Sequence, residues 1–189
     1  LDKAIGNCQY SDITVFSFHP VKIITTGEGG IALTNNKSLF NHMTRLRTHG
    51  ITNDKMLMQT KPDNEIWNYQ QIELGFNYRM TDIHAALGVS QMSRLDNFVS
   101  QRHTLQERYN EILYDLPLTL PYQSKDCYSA FHLYPIQINL DDIKKTHSQV
   151  FFELRENDIG VNLHYIPLHY QPYYQKMGFK VGDFPNSEN

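Results

Sequence analysis

The stretch Phe16-Ser17-Phe18-His19-Pro20-Val21-Lys22, followed closely by Gly27-Glu28-Gly29-Gly30, decides how the rest of the chain is read. It sets one lysine just past an apolar run (Ile13, Val15, Phe16, Phe18) and keeps a serine hydroxyl five residues upstream. A lysine emerging from a buried strand is partly desolvated, which lowers the cost of its neutral amine. Such an amine attacks an aldehyde and forms an imine. By residue type alone, Lys22 also reads as a surface lysine after a strand, and Ser17 as a satisfied polar group within it. The two gain meaning as a pair.

Working outward, Ile13 to Phe18 is predicted as a buried strand, and Gly29-Gly30 as a tight turn into a second strand over 31–34. Asn36 then caps a helix through Leu39, Phe40, Met43 and Leu46, with Gly50 as its stop. From Ile51 to Arg79 periodicity is weak, and Pro62, Asn64, Asn68, Gly75 and Asn77 are scattered through the segment. A loop of that length is usually functional or interfacial. Thr81 and Asp82 open one long helical stretch through Ile83, Ala86, Leu95, Phe98, Val99, Leu105, Tyr109 and Leu113, long enough to connect two domains and ended by Pro117. Phe131 to Ile138 alternates like a strand. Asp141 or Asp142 is placed to cap a helix through Val150, Phe151 and Leu154, and Gly160 resets the chain for a strand over 161–165. This alternation is an α/β pattern in two parts, 1–116 and 117–189, with the boundary near Leu116.

Composition excludes several classes. In 189 residues, 17 Lys+Arg stand against 20 Asp+Glu, for a net charge of -3, and no basic stripe offers the footprint that a nucleic-acid backbone requires. No stretch approaches the roughly 20 apolar residues of a membrane span. Cys8 and Cys127 lie far apart and read as free thiols in a reducing, cytoplasmic setting. The start at Leu1-Asp2-Lys3 lacks an initiator methionine and a signal-like apolar run, and the chain stops at Asn189 without a closing element, so an excised piece is expected. There is no P-loop, no G-x-G-x-x-G after a strand and no G-x-S-x-G elbow. His42 with His49, and His164 with His169, are spaced too loosely for an H-E-x-x-H zinc helix, so no metal is expected.

Four signatures carry a resemblance. They are Ser17-Phe18-His19-Pro20-Val21-Lys22, Thr26-Gly27-Glu28-Gly29-Gly30, Leu74-Gly75-Phe76-Asn77-Tyr78-Arg79-Met80-Thr81-Asp82, and His164-Tyr165-Ile166-Pro167-Leu168-His169. In this order they resemble the nucleotide-sugar aminotransferases of the DegT/DnrJ/EryC1/StrS family. The wording of 21–26 and of the tail over 171–185 resembles the branch that aminates a UDP-linked 4-keto-6-deoxy sugar in pseudaminic acid biosynthesis.

The resemblance implies part of a fold-type-I, aspartate-aminotransferase-like architecture: the end of the pyridoxal-phosphate-binding large domain with its connecting helix (1–116), then an incomplete small α/β domain (117–189). It implies pyridoxal 5′-phosphate as cofactor, L-glutamate as amino donor, a UDP-ketosugar as acceptor, and a homodimer with shared active sites. Lys22 would bind the cofactor covalently and serve as general acid/base. Ser17 would donate to the cofactor phosphate, and Asn77 would reach the phosphate of the partner's cofactor. Arg79 would face the shared site or pair with a nearby acid, and His164, Tyr165 and His169 would hold the sugar nucleotide. A ring-stacking aromatic, a carboxylate for the pyridine nitrogen and a helix start for the phosphate are expected upstream of Leu1, so this stretch by itself is expected to be inactive. The alternatives are another nucleotide-sugar aminotransferase of the same family and a non-catalytic interaction or dimerisation module. A related dehydratase is disfavoured, because such relatives replace the lysine with histidine.

Overall fold

The short apolar runs on either side of the lysine segment pair with each other. In the computed structural model, which describes residues 4–60 and 64–188, β1 (Thr14–Ser17) and β2 (Gly30–Leu33) form an antiparallel ladder with Thr14 opposite Leu33 and Ser17 opposite Gly30. Leu1, Asp2, Lys3, Pro62 and Asn189, all used in the sequence reading, lie outside the described residues. Helix α1 (Lys37–Leu46) follows, its first N–H groups taken by the Asn36 side chain at Ser38 and Leu39, as the sequence predicts. Two further antiparallel ladders are minimal: β3 (Ile51–Thr52) with β4 (Gln70–Gln71), and β5 (Leu118–Thr119) with β6 (Gln137–Ile138). Helices α2 (Asp82–Met92), α3 (Leu95–Leu113), α4 (His147–Glu156), α5 (Pro172–Gln175) and α6 (Pro185–Glu188) complete the described elements.

Two compact units result. The first holds Leu1–Glu107 with Gln123–His132, and the second Arg108–Tyr122 with Leu133–Asn189. The border thus falls inside α3, and a ten-residue excursion returns to the first unit. Among the described residues no helix is long and apolar enough to cross a membrane, and no cluster of metal-ligating side chains occurs.

Five local expectations are corrected. The strand expected to be buried is half-buried on one face only: Phe16 is partly covered but Val15 is 72% exposed, because the sheet has two strands. The single long helix is two, divided at Ser93-Arg94, where the Ser93 hydroxyl donates back to the Ser90 carbonyl at 2.8 Å and competes with helix continuation. Over 131–138 only Gln137 and Ile138 are strand; Phe131 takes a left-handed φ of 43° and Pro135 has no N–H for a ladder. The cap of α4 is Thr146, not Asp141 or Asp142. Its hydroxyl accepts from Gln149 N at 3.3 Å while Gln149 Oε1 accepts from Thr146 N at 2.8 Å, a reciprocal pair that leaves both aspartates in a 3-10 turn. Finally, 161–165 forms no strand, since the Val161 N–H turns back onto Ile159 O at 2.8 Å.

The core is small. Among the described residues Val99, 9% exposed, is the one buried apolar side chain, and Thr26, at 2%, is the most buried residue with a side chain. At Thr26, glycine permits the burial. A Cβ on Gly88 of α2 would stand 2.8 Å from Thr26 Cγ2, and one on Gly29 would stand 2.6 Å from Thr26 Oγ1. Gly88→Ala therefore sets a helix-propensity gain of about 1 kcal/mol against overpacking of about 1–3 kcal/mol. Because Thr26 is pinned by its own hydrogen bond, the clash wins. Thermal unfolding is expected to show a midpoint lowered by about 2–4 °C, where propensity alone would raise it.

Candidate active site

Lys22 lies on the connection between β1 and β2, and the loop is hydrogen-bonded along its length. The ladder runs one step further through Phe18 N to Gly29 O, 2.9 Å. His19 to Lys22 form a turn closed by Lys22 N to His19 O at 2.9 Å, with Pro20 in the second position, where its fixed φ fits and no donor is needed. On the return, Thr26 N (3.1 Å) and Thr25 Oγ1 (2.9 Å) both donate to Phe18 O, and Thr26 Oγ1 donates to Glu28 O at 2.6 Å. Lys22 thus leaves from a closed turn rather than from the strand. Ser17 Oγ accepts from His19 N at 3.3 Å, so its own hydrogen is still available to donate.

The half-buried Lys22 amine meets a residue that the sequence reading passed over: Nζ lies 3.2 Å from Nε2 of His132, 110 residues away. Two consecutive residues of α3 hold the segment that brings this ring in. Arg102 donates to the carbonyls of Phe131 (2.9 Å) and His132 (3.4 Å), and the His103 ring bonds the Ser129 carbonyl at 2.9 Å while stacking on Tyr128 at 4.4 Å. The available signal was a single histidine inside Ala130-Phe131-His132-Leu133-Tyr134. Reading that run as a strand concealed it.

Asn77 and Arg79 are fixed differently. The segment around Asn77 lies along the end of α1 and β3, through His49 N to Phe76 O (2.9 Å), Phe76 N to Leu46 O (2.6 Å), Tyr78 N to Arg47 O (3.0 Å) and a bridge between Thr48 and Asn77. This approach requires glycine at 50 and 75, since a Cβ on Gly75 would strike the backbone of His49 and Gly50. Glu73 clamps the same place, 2.5 Å from Arg45 and 2.7 Å from His42. The Arg45 hydrogen bond, opposed by burial and helped by His42, holds the Glu73 carboxyl below the usual glutamate range. Asn77 Oδ1 accepts from Arg79 Nη2 (3.3 Å) and Nε (3.4 Å), and both side chains are exposed beside Met80, Thr81 and Asp82. They pair with each other and not with Lys22.

The remaining three residues belong to the second unit and divide sharply. The rings of His164 and Tyr165 lie 3.5 Å apart and both are exposed. His169 is 6% exposed, with Nε2 2.7 Å from Glu188 Oε1 and its ring against Tyr170 and Phe184. Glu188 also accepts the N–H groups of Gly182 (2.9 Å) and Phe184 (3.2 Å). Burial pushes its carboxyl up, but the bonds from His169, Phe184, Gly182 and Tyr170 outweigh this and leave it below the usual range. A lowered folded pKa means stability that is present above the ordinary carboxylate value and lost as pH falls through the folded one. Glu188→Gln is therefore expected to lower stability at neutral pH and to flatten its decline below about pH 4.5. Denaturant midpoints of both proteins measured between pH 3 and pH 7 check this.

A lysine presented by a hairpin loop in an α/β unit, with a histidine held against its amine, defines a candidate for amine chemistry. The chain belongs to the DegT/DnrJ/EryC1/StrS aminotransferase family, whose sequence model matches residues 1–189. Among curated relatives it is 40% identical over 188 residues to MJ1066 of Methanocaldococcus jannaschii (98% of this chain, 48% of that protein). It is 36% identical over 181 residues to the spore coat polysaccharide biosynthesis protein SpsC of Bacillus subtilis (94% and 46%). It is 34% identical over 176 residues to the UDP-4-amino-4,6-dideoxy-N-acetyl-beta-L-altrosamine transaminase of Campylobacter jejuni (93% and 43%). In structure it matches the PMP form of Spr1654 from Streptococcus pneumoniae with a TM-score of 0.82 and 27% identity, over 96% of this chain and 46% of that one. The fold is therefore part of the fold-type-I aminotransferase architecture. The chain spans about half the length of the curated relatives it matches.

Proposed function

We propose that the polypeptide carrying this chain is a pyridoxal-phosphate-dependent aminotransferase that moves an amino group from L-glutamate to a UDP-linked 4-keto-6-deoxy sugar, as in pseudaminic acid biosynthesis. The observation that carries this reading is the Lys22 amine, half-buried on a closed loop and hydrogen-bonded at its tip. The donor set fits the cofactor: a primary amine for its aldehyde and, five residues earlier, a hydroxyl with a hydrogen to give to its phosphate. The likeness to the Campylobacter jejuni transaminase supports the sugar class.

In this reading pyridoxal phosphate supplies an aldehyde and a ring that takes up electrons from the substrate carbon. Lys22 would hold the cofactor through its amine and would carry the proton to and from the substrate carbon. Ser17 binds the phosphate. Asn77, whose amide hydrogens are unspent among the described residues, reaches the phosphate of a second subunit's cofactor, with Arg79 holding the Asn77 oxygen and facing the same site. His164 and Tyr165 contact the sugar nucleotide, and His169 sets the segment that presents them. Residues 1–116 close the large domain and 117–189 begin the small one. Exposed large apolar side chains such as Ile66, Leu74 and Ile83 fit a chain covered by further polypeptide and by a second copy.

A neighbouring reading keeps the chemistry and changes the sugar. SpsC is as similar as the altrosamine transaminase, which favours an aminotransferase for another polysaccharide precursor equally well. A screen of the complete polypeptide decides between them: 2-oxoglutarate release from glutamate is followed with a panel of UDP-linked ketosugars. The proposal expects turnover with a 4-keto-6-deoxy acceptor and a loss of about 10³-fold or more in Lys22→Ala. Turnover of free keto acids with no ketosugar response would overturn it.

A further inference from the structure

We propose that His132 is a positioning residue for the Lys22 amine, holding Nζ where it meets an incoming aldehyde; this rests on the reading of Lys22 as the cofactor lysine. The contact is 3.2 Å between Nζ and Nε2, made by residues 110 apart. It is a supported contact. Arg102 and His103, adjacent on α3, fix the carbonyls of Phe131, His132 and Ser129 at 2.9, 3.4 and 2.9 Å. A carbonyl only accepts, so His103 Nε2 carries a hydrogen there. The His103 ring also lies 4.4 Å from Tyr128, nearly parallel at 12°, and 4.7 Å from Phe131, edge-on at 75°. Phe131 itself holds φ at 43°, a conformation that a bulky residue keeps only where its surroundings impose it. These contacts converge on one outcome, the placement of the His132 ring.

An amine nitrogen carries hydrogens and an imidazole nitrogen without one carries a lone pair, so in the tautomer whose Nε2 is free of hydrogen the ring takes an N–H from Nζ. It thereby selects one arrangement of a four-carbon stem that is otherwise free to rotate. Orientation of this kind matters most toward a bulky partner held elsewhere, where a misplacement of about 1 Å costs on the order of 10²-fold. Toward a small aldehyde arriving from any direction it matters little.

The test uses the complete polypeptide freed of cofactor. Capture of pyridoxal phosphate at Lys22 is timed by borohydride reduction and peptide mass spectrometry, and reductive methylation by formaldehyde is timed at the same lysine. His132→Ala is expected to slow pyridoxal phosphate capture about tenfold and to leave formaldehyde methylation within about twofold. His132→Gln, which keeps an acceptor, should recover most of the rate. If His132→Ala lowers the melting temperature, His132→Leu against His132→Gln makes the same comparison at similar size. Equal capture rates in wild type, Leu and Gln variants would overturn the proposal, as would equal slowing toward both aldehydes. Failure of the underlying reading is separately visible, because wild-type protein would then carry pyridoxal phosphate elsewhere than at Lys22, and the proposal would fall with it.

Discussion

The carbonyl of Phe18 receives two donors from across the loop, Thr26 N and Thr25 Oγ1, and the rest of the site depends on that closure. Each such bond contributes only about 1 kcal/mol net, yet leaving a buried partner unsatisfied costs about 1–3 kcal/mol. The hydroxyl of Thr26 is satisfied inside the loop at Glu28 O, so the most buried side chain here is a polar one with nothing left over. Gly29 and Gly88 supply the room. Lys22 is consequently delivered by a rigid base, and its long stem is the remaining freedom to be controlled.

Local chemistry was legible in the sequence where one residue type has one physical job. Asn36 and Thr81 cap the helices they precede, and the apolar runs on either side of the lysine loop do pair. Where several residues compete for one job, reading failed. Asp141 and Asp142 were as plausible as Thr146 until the reciprocal bond with Gln149 was seen. Alternation over 131–138 imitated a strand, although a left-handed Phe131 and a donorless Pro135 break it. Burial of β1 was overestimated because burial belongs to what covers a strand, and apolar residues such as Val15 specify only that something should. His132 was missed for a related reason: nothing within its neighbourhood in sequence points toward residue 22.

In the second unit, three residues read from one motif play separate structural parts. Glu188 gathers bonds from His169, Gly182 and Phe184 and ties the last turns of the described chain to the 3-10 turn at Leu168–Tyr170. His169 is thereby spent on architecture, while the exposed rings of His164 and Tyr165 remain able to touch other molecules. A histidine motif thus separates into a support and a surface, and the distinction is one of burial rather than residue type.

The separation of 110 residues between Lys22 and His132 also has an entropic consequence. Pairing Ser17 with Gly30 closes a short hairpin, whereas bringing the imidazole home closes a loop several times longer, at an extra entropic cost of about 2 kcal/mol. By loop closure alone, the hairpin that carries the amine is thus the less costly contact to form and the distant imidazole the more costly one.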